Sequence, residues 1–592
     1  MEGTGRAARD KEKLPLILAA SVVQGWALYL LHESIKSHHW PATHHAWLVA
    51  LYAVTVFVPL TIQMTADYAR RAALWRMTAI LGAAVFYFGW HWGGNVSDPT
   101  DQRLDVLGTV FAVSFPLIIL WLMALPFAQS YLSTGAWVIR YDSLFTFAWR
   151  NKLVLAEAAL FTGLFWLLLT LWQTLFHMLR IDFFRELFEE PIFVYPVTSL
   201  TFGCALHLIG SVDRLTSVIL DQVLNVLKWL ALLTGCILGF FTLALVYNLP
   251  GLAFTGRRAV NATWLLWLVA VMVLLLNAAY RDGTDTRPYP KWIALALRTV
   301  VPLTVVIAVT ALYALIVRAR EYGLTVERVW GFVVCGAALI YALGYSVSAF
   351  DRSGWMRGMA RVNVGVALAL IAVISAALTP LLSPYRLAAD SQFKIAQRPA
   401  SDATKAWNSP FHYLRFDSGR YGRQRLQQLA GLQGAGNERI RSHAQDSLSQ
   451  QNSWANNASI GAPELLATLQ IYPAGRTLDA KLVAEITADL RKPENAFLFQ
   501  RASEQGVAGI FIDLNGDDAP DFVLLGSLGG VAYENTAAGE WTLVGRFHVN
   551  SIKAGPWSAL VTDLKAGNYA AQPQRWRDLS IGTRHFRFSP NE

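Results

Sequence analysis

Charge is scarce in this sequence: Asp, Glu, Lys and Arg make up only 15 % of its 592 residues, where a soluble globular chain carries about a quarter. That shortage excludes an ordinary soluble protein of this length. Cysteine is scarcer still. The three present, Cys204, Cys236 and Cys335, lie inside apolar stretches without paired spacing, which excludes a disulfide framework and reads as small buried hydrophobes. No Gly-x-Ser-x-Gly elbow, Gly-x-x-x-x-Gly-Lys phosphate loop, His-Glu-x-x-His or Cys-x-x-Cys occurs, so no motif names a reaction. The net charge of +9 is not gathered into a basic helix. It follows the helix flanks, where Lys and Arg serve topology, and nucleic acid is not an expected partner.

What the chain has in excess is oil: 54 % of it is hydrophobic, with 22 Trp. Between residues 14 and 382 about eleven long apolar stretches follow one another with short polar breaks. A hydrocarbon core about 30 Å thick takes roughly 20 apolar residues per helix, and a stretch apolar all round has no face for water. The expected spans are 14–31, 47–64, 74–90, 106–125, 153–171, 193–208, 226–246, 262–276, 300–317, 329–349 and 362–382. The weakest is 193–208, which Pro196 interrupts and His207 burdens, and without it ten remain. The first span follows Arg6, Arg9, Lys11 and Lys13 like a secretory signal. It is too long for one and lacks an Ala-x-Ala site, so it is expected to stay as an anchor.

Basic residues are retained on the cytoplasmic side. Counted over alternate connections, Lys and Arg number eighteen on the side of the N-terminus and nine on the other. The N-terminus is therefore expected in the cytoplasm and, with an odd number of spans, the tail outside it. The connection carrying Arg318, Arg320 and Arg328 runs against the bias.

The expected fold class is thus a polytopic α-helical membrane protein followed by a soluble α+β domain. Residues 1–386 form the membrane part, 387–494 an extracytoplasmic helical segment, and 495–592 a small antiparallel β domain. In the helical segment, Leu426, Leu429 and Leu432 make a thin apolar stripe. Thr477 is a candidate N-cap for a helix carrying Leu478, Leu482, Ile486 and Leu490. Strands are expected at 507–512, 522–525, 531–533 and 541–547, joined by Gly- and Asn-bearing turns.

Three groups of residues could carry chemistry. Asp513, Asn515, Asp517 and Asp521 place oxygen-bearing side chains at alternating positions around Gly516, a spacing suited to calcium. The loop resembles the Asp-x-Asp-Gly-Asp loops of integrin-type propeller repeats, which implies a structural calcium site, while an Asx-rich hairpin turn without metal fits the same residues. In the first outer loop His38, His39, His44 and His45, with His32 before them, could bind a transition metal or simply sit in an aromatic interfacial belt beside Trp40 and Trp47. Within the spans, Glu157 and His207 are the notable ionisable groups, beside Gln24, Lys228 and Asn277. A charge in hydrocarbon points to a transport path or proton relay, or to snorkelling at the interface. His91, Asp98, Asp101 and Asp105 mark an outer loop where an enzyme would keep its acids.

Two stretches, Arg320-Glu321-Tyr322-Gly323-Leu324-Thr325 and Phe416-Asp417-Ser418-Gly419-Arg420-Tyr421-Gly422, together with the many-span layout, resemble a bacterial family of polytopic inner-membrane proteins classed as a domain of unknown function. The resemblance covers most of the membrane part and the start of the tail. It implies residence in a bacterial inner membrane and carries over no catalytic residue. The function expected is envelope transport or sensing, without catalysis, with the tail as a binding or regulatory module and the bilayer plus a solute or envelope protein as partners. The rivals are a membrane-embedded transferase acting on a lipid-linked or envelope substrate, and a scaffold.

Overall fold

The computed structural model describes residues 2–586 except 97–105, 138, 212, 256–260, 285–287, 352–354, 399–409, 450–464, 467, 491–494, 496, 500–505, 527–528, 537–538, 549–556, 572–578 and 582–583. The acids Asp98, Asp101 and Asp105 lie outside the described residues. Helices α1 (Glu2–Lys36), α2 (His45–Met64), α3 (Ala72–Val96), α4 (Val106–Thr134), α5 (Tyr141–Met178), α6 (Phe183–Glu189) and α7 (Pro191–Ser211) come first. They are followed by α8 (Asp213–Thr255), α9 (Ala262–Tyr280), α10 (Lys291–Val300), α11 (Leu303–Tyr322), α12 (Val326–Phe350) and α13 (Met359–Ala377). Among the described residues, eleven spans are long and apolar enough to cross a membrane, α10 and α11 counting as one. Their surface is that of a protein dissolved in lipid: Phe240 is 75 % exposed, Tyr313 68 % and Phe350 73 %. Only a bilayer makes such a surface favourable. The chain is a multi-pass membrane protein.

The weak span is real and its packing explains it. Pro196 lies inside an uninterrupted α7, and α1 lays Gly25 against it: a Cβ at Gly25 would stand 2.5 Å from the Pro196 Cα. Between helices in lipid, where burial offers no driving force, close backbone approach at small residues supplies the contact.

Contacts at the helix ends define two faces. On the first, Lys13 pairs with Asp67, Arg71 donates to the carbonyl of Leu132, and Arg281 meets Asp221 at 2.9 Å. These join the start of α1 to the end of α2, the end of α2 to the end of α4, and the end of α9 to the start of α8. The opposite face holds the ends of α3, α11 and α13 and the start of α12. After α13 the chain does not leave at residue 387. Helix α14 (Pro384–Ala396), a π-turn at Tyr413–Asp417 and two further helices, Gly419–Ala430 and Glu438–Ser449, belong to the same compact unit. We call them the collar. The expected boundary at 386 is therefore wrong for the first half of the tail. Leu426 and Leu429 are fully buried, because a helix with so thin a stripe is stable only against a ready-made partner, here α14.

The second unit is built on a five-stranded sheet, β1 (Leu469–Tyr472), β2 (Val507–Ile512), β3 (Asp521–Gly526), β4 (Gly529–Asn535) and β5 (Trp541–His548), in sequential order. Strands β2 to β5 pair antiparallel, but β1 lies parallel to β2. The sheet is mixed where an antiparallel one was expected. Parallel neighbours require a crossover, and the helix Ala480–Asp489 occupies that connection. It is capped by Asp479, whose side chain accepts from the amide of Lys481, and not by Thr477. The helix thus belongs to the sheet and not to a separate segment ending at 494. Leu482, Ile486 and Leu490 cover one sheet face with Phe522, Leu524 and Tyr533, and the helix Trp557–Lys565 covers the other through Leu564. Burial on both faces explains why β2 to β4 are apolar at consecutive positions. A further pair, β6 (Leu579–Ile581) and β7 (Arg584–Phe586), is antiparallel.

Candidate functional site

The stretches 320–325 and 416–422 are both docking points of the collar. In the first, the loop between α11 and α12 presents bare backbone. Gln392 Nε2 donates to the carbonyls of Tyr322 and Leu324, both at 3.0 Å, and the Leu324 amide donates to Ser391 Oγ at 2.9 Å. The Val326 amide donates to the Tyr413 hydroxyl at 2.8 Å, and Thr325 caps α12 through the amide of Arg328. Gly323, at φ +75°, has Gln392 and Ile395 packed where a side chain would stand. The second stretch meets the end of α3. Gly419 takes φ +56°, and a Cβ there would collide with the carbonyl of Asn95, so only glycine lets the collar backbone press this closely.

Beneath that contact lies a cluster of buried polar atoms. His91 is 1 % exposed and Asn95 0 %. Among the described residues neither amide atom of Asn95 has a hydrogen-bond partner, and the same holds for Trp92 Nε1 and Ser383 Oγ, while the His91 ring meets the Leu378 backbone. The collar supplies the lid: Tyr421 Oη stands 3.5 Å from His91 Nε2, and the Arg420 guanidinium lies over the Tyr421 ring at 5.0 Å. Trp92 packs edge-on against Tyr385 at 5.0 Å and beside Trp330. Burial, with the Glu327 and Asp417 carboxylates adding to it, pushes up the phenols of Tyr385 and Tyr413, the latter against the opposing pull of the Val326 amide. Both stay neutral hydroxyl groups. Each buried, unpartnered polar group costs about 1–3 kcal/mol, so these atoms call for partners that the described side chains do not supply.

The residues singled out from sequence are dispersed. His207 lines a polar cleft of about 90 Å³ on the first face, with Lys13, Asp67, Gln63, Gln129 and Asn151. Gln129 and Asn151 exchange hydrogen bonds of 3.2 and 2.8 Å, and Gln63 reaches inward to Ser21 and Gln24. Glu157 is not in that lining, and its Oε1 is buried without a hydrogen-bond partner among the described residues. Met64 of its lining packs against an apolar core that includes Phe57, Val85 and Trp121. Lys228 lies over the rings of Trp229 and Tyr289.

Among the described residues no three His, Cys, Asp or Glu side chains gather to hold a metal. His38, His39 and His44 are exposed, His45 is half-buried at the start of α2, and His32 Nδ1 pairs with Tyr195 Oη at 3.1 Å. In the Asp513 loop the acceptors are turned onto backbone donors. Asp513 accepts from the amides of Gly516 (2.6 Å) and Asp518 (3.0 Å), Asn515 from Asp517, Asp517 from Ala519, and Asp521 from Leu514. The amide of Gly516, first among several, pulls the Asp513 carboxyl below its ordinary value. Asp521 is pushed up by burial and by Asp517, Glu534 and Asp513. Cys236 is exposed toward lipid and not buried as expected.

Sequence reasoning singled out His91 and missed Asn95, Ser383 and Tyr421. Polar residues four apart at a span end, His91 and Asn95 on one helix face, were the available signal. The chain matches no family model, no curated protein and no solved structure.

Proposed function

We propose that this chain is a bacterial inner-membrane sensor or carrier whose site beneath the collar takes a small polar envelope solute. Its N-terminus lies in the cytoplasm, and its collar and sheet unit lie outside. The observation that supports this reading is the Asn95 amide, without a hydrogen-bond partner among the described residues and buried with His91 under Gly419, Arg420 and Tyr421. A solute bound there touches α3 and the collar together, so binding and collar docking are linked and each strengthens the other. The excess of Lys and Arg on the side of the N-terminus supports the orientation.

The experiment is a thermal-shift survey of the full chain with amino acids, sugars and phosphate, comparing wild type with N95L. A solute that stabilises wild type but not N95L, and slows hydrogen exchange in Gly419–Ala430, is the expected result. No stabilising solute in the survey, or stabilisation equal in N95L, overturns the reading. Solute accumulation in proteoliposomes then separates carrier from sensor. A second reading, transferase chemistry, rests on Tyr421 Oη and His91 Nε2 standing within reach of one proton at the membrane edge. Consumption of a lipid-linked donor that H91A abolishes would favour it.

A further inference from the structure

A second cleft, of about 220 Å³, opens on the lipid-facing side between α4, α5, α9, α12 and α13. Its walls are apolar, with Leu122, Met123, Phe127, Leu274 and Ala367. Its floor is a closed amide network. Asn363 Nδ2 donates to Tyr141 Oη at 3.0 Å and to Asn277 Oδ1 at 2.6 Å. Tyr345 Oη donates to Asn363 Oδ1 and accepts from Asn277 Nδ2 at 2.7 Å. That accounting leaves the Tyr141 hydroxyl proton without an acceptor among the described residues. Tyr341, also in the lining, makes no hydrogen bond among them. At the rim stands Lys152, whose ammonium lies 5.2 Å from the Trp149 ring centroid, and among the described residues no carboxylate lines the cleft.

The depth is that of one leaflet. Asn277 is one turn from the end of α9 and Asn363 one turn from the start of α13, both on the face that carries Lys13 and Arg281. The cleft therefore joins an apolar slot to amide and hydroxyl groups near the N-terminal face and, about three turns along α5 from Tyr141, to the cation of Lys152. Neutral lipid tails would satisfy only the walls. We infer that this cleft binds an anionic phospholipid of the leaflet on the N-terminal face, its phosphate on Lys152 and the Tyr341 hydroxyl and one acyl chain along α4 and α13. Basic residues in interhelical pockets recognise anionic headgroups in this way. The site is independent of the one beneath the collar.

The test uses the full chain in detergent, titrated with phosphatidylglycerol, phosphatidylcholine or inorganic phosphate, and read by thermal shift and by mass spectrometry of retained lipid. Phosphatidylglycerol should bind about tenfold more tightly than phosphatidylcholine, the worth of one charge-assisted contact. K152Q should weaken phosphatidylglycerol more than phosphatidylcholine and so remove that preference. Equal binding of the two lipids, or a preference intact in K152Q, overturns the inference. So does an equal shift from inorganic phosphate, since the acyl chain would then contribute nothing. Y341F keeps its ring and should weaken the preference severalfold. Where K152Q does not fold, an unchanged preference in Y341F is the overturning result.

Discussion

The membrane unit and the sheet unit solve the same problem with opposite surfaces. In the sheet unit Phe522 and Tyr533 are wholly buried and the carboxylates of the β2–β3 turn face water. In the membrane unit Phe240 and Tyr313 face outward, while Gln63, Asn95 and Gln129 are buried. The difference teaches where each unit keeps its stability. The sheet unit draws it from apolar burial out of water. The membrane unit, whose apolar groups meet hydrocarbon folded or not, depends on close backbone packing and on internal hydrogen bonds.

The sharpest way to break this contrast is to truncate one large aromatic in each unit. Phe522→Ala should destabilise the sheet unit by about 3–5 kcal/mol, whereas Phe240→Ala should change the membrane unit by less than about 0.5 kcal/mol. Denaturant unfolding of the full chain, followed by proteolysis of each unit, reads both. Next in size is the collar hinge. Gly419→Val forces a β-branched residue into a left-handed conformation against the Asn95 carbonyl and should cost about 1–3 kcal/mol, seen as faster hydrogen exchange in Gly419–Ala430 with the spans unchanged. Within the membrane unit, Asn277→Leu should cost about 1 kcal/mol. A double variant with Asn363→Leu should cost less than the two singles summed, because each single leaves a partner unsatisfied.

The smallest effects are expected at the solvent-facing turn. The folded-state pKa of Asp513 lies below its unfolded value, so its carboxylate stabilises the sheet unit above the unfolded value of about 3.9, and that contribution is lost as pH falls through the lower folded value. Asp513→Asn should therefore melt below wild type at pH 7 and converge with it in acid. Asp521 has the opposite sign: its contribution is present below the unfolded value and lost as pH rises through the raised folded value. On the calcium reading, the cation relieves repulsion among Asp513, Asp517, Asp521 and Glu534, and it should raise the melting temperature of wild type but not of Asp521→Asn. An unchanged wild-type midpoint by calorimetry of the full chain retires that reading.

Much of the fold was legible because its signals are local. Each apolar run maps onto one spanning helix, and the four strands read from short apolar runs and turn residues all form. The errors came where a partner far along the chain decides. The helix carrying Leu482 and Ile486 looked like part of a linking segment, yet it crosses between β1 and β2. The stripe Leu426–Leu429 looked like an independent tail and is part of the membrane unit. The candidate site was half legible: His91 was singled out, whereas Asn95 and Tyr421 are polar residues of common types whose meaning depends on Gly419 bringing them together.

The amino-acid order alone determined the solvent of each part of this chain, since the free energy of moving a run of 20 apolar residues between water and hydrocarbon is a sum over those residues and needs no knowledge of their neighbours. Which polar groups share a buried site, and that the collar closes over one of them, was decided by tertiary structure. Hydrogen bonding and close packing depend on distances between residues as far apart as Asn95 and Gly419, and no local pattern encodes those distances.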